Sequence, residues 1–148
     1  MVREHMKFNF MDSMSKAKKN YARLLEPLCR EWNLTRNEMD ILLFLYNNPE
    51  YDRAADIVTV RGIAKSHVSV SVNDLENRGF LLRENDPHDR RAVHLRMTDQ
   101  ARSIAAEAAQ QQRLFFSQLY AGIKPEELQA WKAIMERVSE NIYRMEID

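Results

Sequence analysis

The chain has 148 residues, enough to bury a core without disulfides or a metal ion, and we expect one compact domain. Hydrophobic residues make up 45% of it and charged residues 30%, with only three glycines and four prolines, which favours an ordered helical protein and excludes a disordered or collagen-like one. The 22 basic and 22 acidic side chains cancel, so any attraction to a polyanion has to come from local clustering.

The first predicted helix spans residues 10–28, where apolar side chains recur at alternating intervals of four and three residues. Pro27 lies inside it and is expected to bend the helix or to begin a new turn. The second helix begins after Thr35, which has the spacing of a capping box with Glu38. The apolar residues that follow cover most of the helix circumference, so we predict that this helix is central to the core.

A short helix is predicted for residues 53–61, followed by a turn at Gly62. The next segment, AKSHVSVSVNDLENRG, has the pattern of a helix that ends at a glycine. Val68, Val72 and Leu75 repeat in it at i, i+4 and i+7 and are predicted to point inward. The remaining surface carries mostly small polar side chains: Lys65, Ser66, His67, Ser69, Val70 and Asn73.

The segments FLLRE and AVHLRMT are predicted to form a two-stranded hairpin. Along the second segment apolar and polar side chains alternate with the period of a half-buried strand: Val93, Leu95 and Met97 against His94 and Arg96. The tip between the strands reads DPHDRR and contains two adjacent arginines.

Two helices complete the chain. Thr98 is predicted to cap a helix that runs to about Tyr120, and Pro125 to lie in the first turn of the last helix. Apolar residues of the last helix keep a three-then-four spacing almost to the terminus: Leu128, Trp131, Met135, Val138, Ile142 and Met145. Such an end helix usually packs on another subunit, so we predict a homodimer; folding back on its own domain is the alternative.

A short helix, a turn, a second helix and a hairpin are typical of the winged helix-turn-helix, whose second helix enters the DNA major groove. The predicted fold class is therefore mainly α with a small β-hairpin wing. Short polar side chains can approach base edges and phosphates, and a valine can contact a thymine methyl group; an ordinary solvated helix face is the alternative. We assign to the major groove and its phosphates Lys65, Ser66, His67, Ser69, Val70 and Asn73.

The wing arginines strengthen the DNA-binding interpretation, because the negative potential of a minor groove attracts arginine. We assign Arg90 and Arg91 to the minor groove, with Asp86 and Asp89 holding the turn or orienting a guanidinium. Residues 61–96 contain seven lysines and arginines against five acidic residues, so this part of the neutral chain is modestly positive.

Two motifs resemble the MarR family of bacterial transcriptional regulators, and the resemblance covers about residues 10–143. RGIAKSHVSVSVNDLENRGFL is similar to the family's recognition helix and first wing strand. DPHDRRAVHLRMT is similar to its wing, with Asp89, Arg91 and Thr98 at the signature spacing. The resemblance implies a triangular homodimer whose first, fifth and sixth helices interlock, binding a palindromic operator as a repressor and often released by a small molecule or an oxidant.

Three positions depart from the family pattern. Val70 stands where arginine is frequent, Ala64 where a serine cap is common and Ala101 where glycine is usual. The change at position 70 is expected to affect base preference most.

Two alternatives to a ligand-released repressor remain open. Cys29 is the one cysteine, and the neighbouring Arg30 could lower the pKa of its thiol, so a redox-responsive regulator is the first. The second is a winged helix that binds protein and not DNA. No phosphate-binding loop, nucleophile elbow or metalloprotease motif is present, so an enzyme is not expected.

Ligand sites are weakly indicated. The histidines, His5, His67, His88 and His94, lack the spacing of a zinc site, and we predict no metal and no cofactor. A set of aromatic side chains could line a pocket for a small aromatic effector between subunits, although ordinary core and interface packing is the stronger interpretation of each: Tyr21, Trp32, Phe115, Phe116, Tyr120 and Trp131.

We therefore predict a single domain over residues 1–148, with a DNA-binding lobe at about 34–98 and dimerisation helices at about 8–32 and 99–146. Double-stranded DNA and a second copy of the chain are the expected partners. The sequence shows neither a signal-peptide pattern nor a run of about eighteen apolar residues, and a lone cysteine fits a reducing compartment, so we expect a cytoplasmic protein without membrane contact.

Overall fold

The computed structural model describes residues 9–145 and has the predicted architecture, mainly helical with one antiparallel hairpin. The elements in chain order are α1 (Phe10–Glu31), α2 (Arg36–Asn47), α3 (Ala54–Asp56) with a π-helical segment (Ile57–Arg61), α4 (Lys65–Asn77), β1 (Leu81–Asn85), β2 (Val93–Met97), α5 (Asp99–Leu119) and α6 (Pro125–Arg144). By its contacts the chain forms two compact units, the first ending at Gln112 and the second beginning at Arg113. Between residues 9 and 145 no helix has the length and apolarity needed to cross a membrane.

The core of the first unit is built around α2, as the sequence predicts. Met39, Ile41 and Leu42 are completely buried, because apolar residues cover nearly the whole circumference of this helix. The neighbouring elements contribute further side chains to the same cluster, among them Leu25, Ile57, Val72, Leu75, Leu81 and Ile104. The first predicted helix is confirmed, and it continues through Pro27 to Glu31.

The predicted capping box at the start of α2 is confirmed. Thr35 Oγ1 accepts from the Glu38 amide at 3.2 Å, and Glu38 Oε2 accepts from the Thr35 amide at 2.8 Å. Burial raises the pKa of Glu38, whose carboxylate lies 3.6 Å from Nη1 of Arg78. The same guanidinium donates to the carbonyl oxygens of Trp32 and Asn33 at 2.7 and 2.8 Å, so it ties the end of α4 to the end of α1.

The hairpin follows directly from α4. Gly79 takes a φ of +78°, a conformation that glycine adopts without steric cost, and it turns the chain from α4 into β1. The strands pair with Leu81 opposite Met97 and Asn85 opposite Val93. Thr98 accepts weakly from the Ala101 amide at 3.4 Å and donates to the Gly79 carbonyl at 2.9 Å, which supports its predicted role as the cap of α5.

The second unit contains the end of α5 and the whole of α6. Aromatic side chains pack within it: the rings of Phe116 and Tyr120 stack at 6.0 Å, and those of Tyr120 and Trp131 lie 5.6 Å apart. Pro125 occupies the first turn of α6 as predicted. No residue of α6 is buried, and Ile142 on its apolar stripe is 60% exposed.

Candidate nucleic-acid interface

Helix α4 separates a buried face from an exposed one. Val68, Val72 and Leu75 are at most 2% exposed, which confirms the predicted inward stripe. All six residues assigned from sequence to the groove are exposed: Lys65, Ser66, His67, Ser69, Val70 and Asn73. Val70 is 70% exposed, so its methyl groups are accessible to a partner.

The N-terminus of α4 has no side-chain cap. Ala64 occupies the cap position, and within residues 9–145 no side chain accepts from the first amides of the helix. Those amides therefore keep free hydrogen atoms at the positive end of the helix dipole, a place that favours a phosphate oxygen.

The tip of the hairpin is held by its two aspartates. Asp86 Oδ1 accepts from the amides of His88 and Asp89 at 2.8 and 3.0 Å, and Asp89 Oδ1 accepts from the amide of Arg91 at 3.0 Å. Hydrogen bonds from the His94 ring and from the two amides lower the pKa of Asp86 to about 2. Asp89 thus acts on the backbone of Arg91, and the side chains of Arg90 and Arg91 are exposed.

A second network lies where the two strands meet the tip of the hairpin. His94 Nδ1 lies 2.8 Å from Asp52 Oδ1, and Nε2 lies 2.8 Å from Asp86 Oδ2. Hydrogen bonds to Asp86 and Asp52 raise the pKa of His94, because both carboxylates favour the doubly protonated ring. Arg96 completes the network by donating to Asp52 at 2.7 Å and to Glu84 at 3.0 Å.

The predicted strand alternation holds for Leu95, which is buried, and for Arg96, which is exposed. His94 differs, since its side chain is only 18% exposed between its two aspartates. Nothing in the sequence marks Asp52 as a functional residue, because it lies 42 residues before His94 and meets it only in the folded chain.

A third contact joins the hairpin to α4. Arg83 of β1 donates from Nε to Glu76 Oε2 and from Nη2 to Asn73 Oδ1, each at 2.5 Å. One residue assigned to the groove, Asn73, is therefore held by a residue that sequence analysis missed. Arg83 also lines a cavity of about 390 Å³ with Lys65 and Ser69.

Cys29 is partly buried on α1. Arg30, the neighbour that could have lowered the pKa of the thiol, forms an ion pair with Glu26. Burial instead raises the pKa of Cys29, and the opposing charge of Arg36 does not offset it. A thiol with a raised pKa carries little reactive thiolate, so the structure gives no support to redox sensing by this residue.

The other suggested ligand residues are histidines and aromatic side chains. Within the described residues no group of three His, Cys, Asp or Glu side chains could hold a metal ion, and His5 lies outside them. Tyr21 and Trp32 belong to the first unit, where Tyr21 accepts from Gln112 at 2.9 Å. Phe115, Phe116, Tyr120 and Trp131 belong to the second unit.

Two sequence comparisons find similarity to transcriptional regulators. Residues 32–92 match a sequence model described as the MarR family. The HTH-type transcriptional regulator YdgJ of Bacillus subtilis, itself uncharacterised, is 24% identical over 113 residues, which are 76% of this chain and 68% of that protein.

Two solved structures share the fold. A MarR family transcriptional regulator from Silicibacter pomeroyi has a TM-score of 0.73 at 23% identity, with 90% of each chain covered. A structure from Listeria monocytogenes, described as a MarR family transcriptional regulator complexed with 26mer DNA, has a TM-score of 0.77 at 17% identity, with 93% of this chain and 90% of that chain covered.

Proposed function

We propose that this chain, a DNA-binding transcriptional regulator of the MarR family, binds a palindromic operator as a homodimer and acts as a repressor. In this proposal residues of about 34–98 form the DNA-binding lobe, and the helices at about 8–32 and 99–146 form the dimer. Residues 8 and 146 lie outside the described part of the chain. A regulator of this kind works beside the chromosome, which in bacteria is in the cytoplasm.

Helix α4 is the proposed major-groove element. Its buried valines fix it to the core, and its exposed face is made of short side chains that let the helix approach base edges closely. Lys65 and the uncapped amides at the start of the helix are placed to bind phosphate oxygens. Val70 is placed to contact the methyl group of a thymine. An arginine at this position would instead form hydrogen bonds with guanine.

The wing is the proposed minor-groove element. Arg90 and Arg91 extend from a turn that Asp86 and Asp89 fix through backbone hydrogen bonds, so little order has to be gained on binding. Guanidinium groups are attracted by the negative potential of a narrow minor groove. A wing that served a protein partner would be expected to carry an apolar tip, which DPHDRR does not.

A second copy of the chain is the proposed partner of the exposed apolar side chains outside the DNA-binding lobe. In α1, Met11 is 74% exposed, and in α6 Ile134 and Ile142 are 58% and 60% exposed. Apolar surface of this kind on two end helices, with heptad-like spacing in each, fits a two-fold helical interface. An operator with two half-sites about 34 Å apart would match such a dimer.

The proposal includes release of the DNA by a small aromatic effector. This part of the proposal rests on the aromatic content of the end helices, where Tyr120 packs against Trp131. Aromatic stacking in a pocket near the dimer helices is a chemistry that such a ligand would use.

The observation that carries the proposal is the joint exposure of the small-residue face of α4 and of Arg90 and Arg91 on a fixed turn. Selection of bound fragments from a genomic library, followed by fluorescence anisotropy at several salt concentrations, tests it. We expect a linear decrease of log K with log salt concentration, because each neutralised phosphate releases condensed counterions. Failure to select any fragment would instead favour a protein-binding winged helix.

A further inference from the structure

The contact between the hairpin and α4 assigns a role to a residue outside the predicted site. We propose that Arg83 of β1 is a positioning residue, which holds the amide of Asn73 so that α4 presents the Nδ2 donor of that amide to an acceptor on a base edge. This inference rests on the proposed function and adds a determinant of base preference to it.

The chemistry of the contact fixes which way the amide of Asn73 points. A guanidinium carries only donors, so the atom of Asn73 that faces Arg83 Nη2 at 2.5 Å has to be the carbonyl oxygen. The amide nitrogen of Asn73 is bonded to the same carbon as this oxygen, so it points in a different direction and does not face Arg83. No ambiguity between the oxygen and nitrogen positions remains, because the reversed amide would set donor against donor.

The fork of Arg83 is well suited to hold the outer face of α4. Asn73 and Glu76 are three residues apart, so they are neighbours on the helix surface, and one guanidinium reaches both with Nη2 and Nε. Glu76 compensates the charge of Arg83, which reduces the direct attraction of this arginine to phosphates. Its main contribution is therefore the geometry of Asn73.

Holding an exposed side chain before binding favours recognition. Asn73 is exposed, and an unrestrained asparagine would lose rotamer freedom when it meets the DNA. A side chain that is already oriented avoids this loss of conformational entropy. The same contact then contributes more to the difference in binding free energy between bases. The loss of Arg83 should therefore appear as weaker base preference and not only as weaker binding.

The orientation also predicts which base Asn73 reads. Bidentate recognition of adenine uses the carbonyl oxygen and the nitrogen of an asparagine amide together. In this structure the oxygen faces Arg83, so the nitrogen alone is presented as a donor. Guanine, whose major-groove edge has two adjacent acceptors, suits such a donor better than adenine.

The test is sequence selection from a random duplex library with the full chain and four variants. These are Asn73→Ala, Arg83→Met, the double variant and Arg96→Met. Methionine keeps much of the aliphatic stem and removes the guanidinium. Arg96 is the matched control, since it is an exposed wing arginine whose two acidic partners, Asp52 and Glu84, lie outside α4.

We expect the preference at one base pair of each half-site to weaken about tenfold in Asn73→Ala and in Arg83→Met, within the range of one good base contact. The double variant should lose no more than either single variant, because both substitutions remove the same interaction. Arg96→Met should keep the preference at that base pair. Thermal unfolding of each variant checks that it folds.

Two results would overturn the positioning role while DNA binding persists. One is an unchanged preference in Arg83→Met. The other is additive losses in the double variant with a salt dependence reduced by about one counterion, which would mean that Arg83 contacts phosphate directly. If the wild-type chain selects no sequence, the proposed function itself fails.

A further variant covers the case in which Arg83→Met does not fold. Asn73→Asp keeps an acceptor for Arg83 and removes the donor offered to the DNA. It should lose the same base preference as Asn73→Ala, and retention of that preference would overturn the assignment of Nδ2 as the reading group.

Discussion

Nε2 of His94 lies 2.8 Å from Oδ2 of Asp86, which joins the second wing strand to the wing tip. The other ring nitrogen lies 2.8 Å from Asp52, so both nitrogens act as donors only when the ring is protonated. Asp86 also accepts from two amides of the turn that carries Arg90 and Arg91. The protonation state of one histidine is thereby connected to the order of the wing.

The first prediction concerns the pH dependence of this network. The pKa of His94 is raised above its usual 6.5, so its contribution to stability is fully present below pH 6.5 and is lost as the pH rises through the raised value. The pKa of Asp86 is lowered to about 2, so its contribution is present above about pH 4 and is lost as the pH falls toward 2. The wing should therefore be best ordered between about pH 4 and 6.5.

Proton NMR titration of the His94 ring measures the first shift. We expect a pKa above 6.5 in the wild-type chain and a lower value in Asp86→Asn, which removes one carboxylate. Amide hydrogen exchange at His88 and Asp89 should speed up at high pH beyond the intrinsic rate, because these amides bond to Asp86. A His94 pKa at or below 6.5 would contradict the network.

The second prediction is that Arg91→Ala weakens operator binding at least about tenfold without loss of folding, since one charge-assisted contact to DNA contributes on this scale. The side chain is exposed at the wing tip, so its removal leaves the core intact. Anisotropy titration at fixed salt measures the effect. Arg23→Ala, an exposed arginine of α1, is the control and should bind as the wild type does.

The third prediction tests the contribution of the turn to DNA binding separately from that of the arginine side chains. Asp89→Ala removes the acceptor of the Arg91 amide and should weaken DNA binding, whereas Asp89→Asn keeps an oxygen at the same position and should bind more tightly than the alanine variant. The same titration measures both variants. Equal losses would show that the negative charge of Asp89, and not its hydrogen bond to the backbone, matters.

Local features of this fold could be predicted from sequence because their signals are only a few residues long. Thr35 and Glu38 are three positions apart, and their capping box is present as expected. The stripe that contains Val68 and Val72 follows from helical spacing alone. The exposed face of α4 consists of the helix positions outside that stripe. The candidate groove residues could therefore be predicted from the same spacing.

Contacts between distant segments could not be predicted in this way. Asp52 and His94 are 42 residues apart, and Arg83 and Asn73 belong to different elements. Which side chains meet depends on how strand and helix pack, and neither periodicity nor composition contains that information. Cys29 shows the same limit, because its sequence neighbour Arg30 pairs with Glu26 and burial decides the direction of its pKa.

The fourth prediction concerns the core. Leu42 of α2 is completely buried, so Leu42→Ala removes apolar contacts and leaves a cavity, and it should lower the free energy of unfolding by about 2–5 kcal/mol. Leu82 is 57% exposed, and Leu82→Ala should cost less than about 1 kcal/mol. Urea unfolding at one fixed protein concentration measures both, since dimerisation would make stability depend on concentration.

The last prediction tests the dimer. Ile142 is 60% exposed on the apolar stripe of α6, and in the proposed homodimer a second copy covers it. Ile142→Glu would place a carboxylate in that interface, and burying an unpaired charge there is costly, so we expect the dissociation constant of the dimer to rise at least about a hundredfold. Sedimentation equilibrium over a range of concentrations measures it. Gln129→Glu adds the same charge at an exposed polar position of α6 and should leave the dimer intact. A wild-type chain that sediments as a monomer at all concentrations would contradict the proposed homodimer, and operator binding would then have to come from a single α4 and wing.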